Sequence, residues 1–165
     1  MKYADGPTAT VTRRIAAAPH EVWRLVSDIT LPARFSSEFV GAEWLGDATG
    51  AALGARFEGH NHHDAIGSWT TTSTVVDFEP GRTFAWAVGE PDAASASWRF
   101  ELAPDGDSTL VTFTVRSGPG WSGLLAAIEA MPDKEERIVE RRLEEFRQNM
   151  DATLDGVAAL AQADS

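Results

Sequence analysis

Two short stretches hold most of the side chains in this chain that could do chemistry. In His60-Asn61-His62-His63-Asp64, the residues His60, His62 and Asp64 alternate, so on a strand they share one face. Imidazole and carboxylate are metal ligands, and imidazole also suits acid–base work near neutral pH. Zinc asks for three or four converging ligands. Here all three lie on one short segment, and no distant partner is evident. If Phe57 faces inward, the alternation also turns these histidines toward solvent. The expectation is a polar hairpin, with no metal and no cofactor.

The second group is Asn61, Thr71 and Ser73. On strands, Thr71 and Ser73 share a face with Trp69, and Asn61 shares one with Phe57 and Gly59. Turned inward, they would orient a carbonyl or hydroxyl of a bound molecule. The competing reading is that backbone or buried water satisfies them. A bulge near Val75-Val76 would shift the phase of this face. Two charge pairs, Asp28 with Arg56 and Glu58 with Arg82, are equally well explained as structural ion pairs, which stabilise little at a surface. No glycine-rich phosphate loop or Ser-His-Asp order is present. The absence of cysteine excludes disulfides, thiolate metal sites and cysteine nucleophiles together.

The elements that must position these groups read as strands followed by one long helix. Residues 8–16 alternate as a first strand. Pro19 fits the first helical position, Glu21 suits the first turn, and the helix runs through Asp28. Pro32 stops it, and residues 31–37 are a second short helix anchored by Phe35 and Phe39. Six strand-like runs follow, at 40–45, 54–62, 68–78, 83–88, 96–102 and 110–116. Pro80-Gly81 and Asp105-Gly106-Asp107 are turn signals between them. Successive hairpins imply an antiparallel meander with one wet and one dry face. Gly118-Pro119-Gly120 breaks the sheet. Trp121, Leu124, Leu125 and Ile128 form a small apolar stripe, which would be either a movable lid over residues 118–131 or a fixed connector. Asp133 starts the last helix, with Glu136 three residues on as a capping partner. Its apolar stripe runs from Ile138 through Leu143, Phe146, Met150, Leu154 and Val157 to Leu160.

Composition narrows the function. The chain has 165 residues, a single-domain length, so one domain over 1–165 is expected. A net charge of −11 argues against nucleic acid and anionic membranes, which need a basic footprint. No apolar run is long enough to span a bilayer, and residues 1–7 show no apolar leader core, so a cytoplasmic location is expected. Disorder is expected only at residues 1–8 and the last few residues. Six Trp and eight Phe stand against one Tyr, which means either a large core or a pocket walled by flat apolar rings. Phe57, Trp69, Trp86, Trp98, Phe100 and Phe113 come from successive strands and can all face the closing helix. Phe146 and Met150 would meet them from the helix side. The alternative is that these residues simply pack on one another as core.

Several stretches carry a resemblance. They are Ile15-Ala16-Ala17-Ala18-Pro19-His20-Glu21-Val22-Trp23 with the later Asp28, Leu53-Gly54-Ala55-Arg56-Phe57-Glu58-Gly59-His60-Asn61, Trp69, and Glu79-Pro80-Gly81-Arg82-Thr83-Phe84-Ala85-Trp86. Their order and spacing, across roughly residues 11–160, resemble the START-like or Bet v 1-like (SRPBCC) superfamily, in its polyketide cyclase/dehydrase-like branch. The resemblance implies an α+β helix-grip fold, with a seven-stranded antiparallel sheet curved around a long C-terminal helix. It implies binding of a hydrophobic or aromatic, polyketide-like or lipid-like molecule between sheet and helix. The ligand-binding candidates are then Phe57, Asn61, Trp69, Thr71, Ser73, Trp86, Trp98, Phe100, Phe113, Phe146 and Met150. Such folds also host cyclases and dehydratases acting on poly-carbonyl chains, and non-catalytic partner-binding domains, so whether the chain is an enzyme stays open. No catalytic role is transferred to any residue. A monomer or a homodimer is expected.

Overall fold

In the computed structural model, which describes residues 1–163, seven strands form one antiparallel sheet. The strands are β1 (Thr8–Ile15), β2 (Phe39–Trp44), β3 (Arg56–His63), β4 (Gly67–Glu79), β5 (Thr83–Val88), β6 (Ala96–Asp105) and β7 (Ser108–Ser117). Their order across the sheet is β1-β7-β6-β5-β4-β3-β2. Every neighbour from β2 to β7 is thus a hairpin partner. Only β1, paired with β7, closes over a long stretch of sequence. The inserted chain between β1 and β2 carries α1 (Pro19–Val26) and a 3-10 turn at Leu31–Arg34. A helix α2 (Gly123–Ala130) and a 3-10 turn at Pro132–Lys134 lead into the long helix α3 (Glu135–Ala163).

The local chemistry accounts for the boundaries. Pro19 opens α1, where its missing N–H costs nothing, and Glu21 lies in the first turn. Ser122 caps α2 by accepting from the Leu125 N–H. Three expectations change. The second short helix is a single 3-10 turn ending at Arg34: the N–H groups of Phe35 and Ser36 both close on the Pro32 carbonyl, and Phe35 leaves helical geometry at φ −127°. Asp133 lies in the 3-10 turn ahead of α3 and does not start it. Residues 1–8 are ordered: Tyr3 is buried, and its hydroxyl donates to the Gly120 carbonyl at 2.7 Å. The expected disorder of the last residues concerns 164–165, outside the described residues.

Register decides which side chains meet. Opposed residues of an antiparallel pair share a face, so Phe57↔Ser73, Gly59↔Thr71 and Asn61↔Trp69 stand together on the concave side. Val75↔Trp86 and Phe78↔Phe84 continue it because Val76 is an extra, exposed residue between them. This is the bulge expected near Val75-Val76, and it restores the inward phase for Phe78. The face then runs through Trp86↔Trp98, Phe84↔Phe100 and Phe100↔Phe113.

The helix α3 lies close to β1, α1 and α2 and makes few close backbone approaches to the middle of the sheet. Its buried residues Val139, Leu143, Phe146, Met150, Leu154 and Val157 follow the helical stripe. Gly156 interrupts it for a steric reason. A Cβ there would strike the Phe35 ring, which packs flat on the helix backbone. Among the described residues no helix is long and apolar enough to cross a membrane.

Candidate functional site

The concave face has two halves of different character. Over β6, β7 and β1 it is closed: Phe100, Leu102, Val111, Phe113, Val115 and Ile15 are all buried. Phe100 and Phe113 stack with centroids 3.9 Å apart, and Phe146 from α3 meets Trp98 edge-on at 5.3 Å. Met150 is sealed in the same core. Of the candidate binding residues, Phe100, Phe113 and Met150 are therefore embedded in packing that holds sheet and helix together.

Over β2 to β5 the same face is open to solvent in part. Trp44, Trp69, Trp86 and Trp98 all point to the concave side, yet none is fully buried. Trp86 stacks on Trp98 at 6.3 Å and touches Phe57 at 6.1 Å, and Phe57 meets Trp44 edge-on. Trp69 stands apart from this cluster, at the end of β4 and opposite Asn61. Asn61 and Thr71 are partly exposed, and Ser73 is buried deeper along the same row. A floor of flat apolar rings is thus edged by one amide and two hydroxyls. Such a surface suits a mostly apolar molecule carrying a few oxygens.

A polar cluster that the sequence did not announce ties α3 to this end of the sheet. His63 has the opposite parity from His60 and His62 and faces the helix. Its Nε2 lies 2.7 Å from a Glu145 carboxylate oxygen, and its Nδ1 accepts from the Ala65 N–H at 3.0 Å. That leaves the proton on Nε2, donated to Glu145. Arg142 binds both oxygens of Glu38 at 2.6 and 2.7 Å, reaches Glu145 at 3.4 Å and lies over the Phe146 ring. Burial opposes the Arg142 charge, but the Glu38 contacts outweigh it and raise its pKa above the ordinary value. Burial likewise pushes the Glu145 carboxyl up, yet the His63 hydrogen bond and the Arg142 charge hold it below the ordinary 4.5. Beside them, Asn149 accepts from the N–H and hydroxyl of Ser37. The signal for His63 was only its odd place in an alternating run.

The other sequence candidates separate. His60 and His62 face the outer side, as the parity implies: His60 meets Glu43, and His62 meets Ser68 and Asp64. Among the described residues neither Asp28–Arg56 nor Glu58–Arg82 forms. Asp28 instead accepts from the N–H and hydroxyl of Thr30, and Arg82 reaches Glu79. The base of the 118–131 segment is held at three points. The Gly120 carbonyl accepts from Tyr3, its N–H donates to the Ala94 carbonyl, and its bare α-carbon rests against the Ala93 carbonyl. This anchoring suits the connector reading, with Trp121 projecting outward, 65% exposed. Two surface depressions flank α3 on its outer side, one between Arg137 and Gln148, the other between Lys2 and Asp133. Neither lies on the concave face.

The family of polyketide cyclases/dehydrases and lipid-transport proteins matches residues 7–160, nearly the whole chain. The chain belongs to this family. Solved structures agree on the fold. A polyketide-cyclase-like protein from Corynebacterium glutamicum is similar at 26% identity and TM-score 0.68, covering 95% of this chain and 92% of that one. The Zhui aromatase/cyclase from Streptomyces sp. R1128 is similar at 18% identity and TM-score 0.63, covering 94% and 93%. The di-domain aromatase/cyclase StfQ of the steffimycin biosynthetic pathway is similar at 12% identity and TM-score 0.71, covering 95% of this chain but 51% of its own. No curated protein matches. The helix-grip architecture expected of this family is the one observed: one curved antiparallel sheet and one long C-terminal helix.

Proposed function

We propose that the chain binds a hydrophobic, oxygen-bearing small molecule of polyketide-like chemistry on the concave face over β3 to β5. One observation carries the reading: four tryptophans, Trp44, Trp69, Trp86 and Trp98, face the inside of the sheet and still keep solvent exposure. Trp98 meets Phe146 of α3, but the helix backbone runs closest to β1 and not over β3 to β5, where tryptophans serving only as core would need it. Flat rings on both flanks suit a planar or cyclising carbon skeleton. Asn61 and Thr71 supply an amide and a hydroxyl for its carbonyls, and Ser73 supplies a hydroxyl deeper in the row.

The membership in a cyclase/dehydrase family and those three polar side chains favour a second reading, cyclisation or dehydration of a poly-carbonyl chain. Holding such a chain folded between rings brings its reacting carbons together, and positioning alone can lower a barrier substantially. An amide donor at a carbonyl oxygen would stabilise the developing enolate.

The test is native followed by denaturing mass spectrometry of the purified protein, then titration with a hydroxyanthraquinone while tryptophan emission is followed. Saturable quenching that weakens in Trp69→Ala supports the binding site. Quenching that is unchanged in both Trp69→Ala and Trp86→Ala overturns it. Turnover of a poly-carbonyl substrate that is lost in Asn61→Ala while binding persists would select the enzyme reading.

A further inference from the structure

The outer face of the sheet carries a ligand set independent of the concave site. Glu43 of β2 and Glu58 of β3 are directly opposed in register, so two carboxylates share one side of a strand pair. Like charges so placed repel. Between them stands His60, whose Nε2 lies 2.8 Å from Glu43 and 4.0 Å from Glu58. The three donor atoms all fall within 4.8 Å of one another. Across the strand pair from His60 is Gly41, which adds no side chain over the cluster. From the other side, the Thr70 hydroxyl of β4 is 3.4 Å from His60 Nδ1.

We infer that Glu43, Glu58 and His60 form a binding site for a divalent transition-metal ion, with Zn²⁺ the best match. Imidazole with two carboxylates is a borderline donor set that suits zinc better than magnesium or calcium, which prefer all-oxygen shells. Ligand atoms bound at ~2.1 Å in a tetrahedron are ~3.4 Å apart. The observed separations of 2.8 and 4.0 Å bracket that value, so only small side-chain rotations are needed. Water would fill the fourth position on the open side. Without an ion, the short His60–Glu43 contact needs a proton on Nε2; the ion takes that place and releases it. With the ion bound, Nδ1 would carry the ring proton and donate it to the Thr70 hydroxyl, holding the Nε2 lone pair toward the carboxylates. The ion would join the edge strand β2 to β3, and the net charge of −11 draws cations to the surface generally.

The test is calorimetric titration of Zn²⁺ into the intact protein near pH 7 in a non-coordinating buffer. One equivalent should bind in the wild type. Affinity should fall at least tenfold in His60→Ala and in Glu58→Gln, and roughly tenfold in Thr70→Val. His62→Ala, further along the same face, should bind as the wild type does. The same Zn²⁺ addition should raise the melting temperature of the wild type and leave that of His60→Ala unmoved. The outcomes that overturn the site are no saturable binding, unchanged affinity in His60→Ala, or loss in His62→Ala instead. All four positions are at least partly exposed, so each variant should keep its fold, checked by far-ultraviolet circular dichroism.

Discussion

His63 donates through Nε2 to the Glu145 carboxylate, 2.7 Å away, and so fastens the end of β3 to the middle of α3. The two residues are 82 positions apart, and their contact sits beside the Arg142–Glu38 pair. This side-chain hydrogen bond ties the helix to β3; the same end of the fold is also held by Ser37 and Glu38, which bond Asn149 and Arg142 of α3.

The Glu145 carboxyl has a lowered pKa, so its contribution to stability is full above 4.5 and is lost as pH falls through its lower folded value. Urea unfolding should show Glu145→Gln to be less stable than the wild type at pH 7. The deficit should be about 1 kcal/mol or less, since the group is a third exposed and screened. It should shrink progressively as pH falls below 4.5. A deficit that grows on acidification would contradict the assigned direction.

Trp69 and Trp86 should respond differently to truncation. Trp69→Ala should cost on the order of 1 kcal/mol in stability while weakening ligand binding, because Trp69 stands outside the ring cluster. Trp86→Ala should cost on the order of 3 kcal/mol as well as binding, since its ring touches Phe57, Phe84, Trp98 and Phe100. Thermal melts alongside the quenching titration separate the two effects.

Gly156→Ala is expected to destabilise despite alanine's better helix propensity. Propensity favours the change by about 1 kcal/mol, but the new methyl would displace the Phe35 ring from the helix. Overpacking of this kind costs roughly 1–3 kcal/mol, so the net should be a loss. Adding Phe35→Leu should recover part of it, which a double-mutant cycle would read.

Thr109→Val should cost about 1–3 kcal/mol. The Thr109 side chain is fully buried, and its hydroxyl donates to the Ala17 carbonyl at 2.8 Å, where β1 turns into α1. Valine keeps the shape and leaves that carbonyl without its partner. A stability equal to the wild type would mean that water replaces the hydroxyl.

Much of this was legible in the chain because strand periodicity is local. Alternation alone put Asn61 with Phe57, set His60 and His62 on the opposite face, and grouped Thr71 and Ser73 with Trp69; the register then brings the two inward sets together. The long helix showed through its apolar stripe, although a separate 3-10 turn, Pro132–Lys134, precedes its start at Glu135. What stayed hidden depends on pairing between distant segments. Nothing near His60 identifies Glu43 as its neighbour, because that contact exists only once β2 is laid on β3 in register. His63 read as one more polar hairpin residue, since its partner Glu145 belongs to a helix far along the chain. The depth of each aromatic was equally hidden. Phe113 and Trp69 look alike in sequence, and their places in the sheet relative to α3, which runs closest to β1, make one of them core and leave the other partly accessible.

The extra residue at Val76 works like a spacer in a reading frame. Val75 and Phe78 both reach the interior because one position between them is skipped by the partner strand. Replacing Val76, whose side chain is exposed, should therefore be tolerated. Removing it should be tolerated as well: the chain would run Val75, Asp77, Phe78 without a bulge, and the pairings Val75↔Trp86, Asp77↔Ala85 and Phe78↔Phe84 would stay in phase. A substitution and a deletion at this one surface position would then both keep the aromatic face, the deletion costing only the local bend of the bulge.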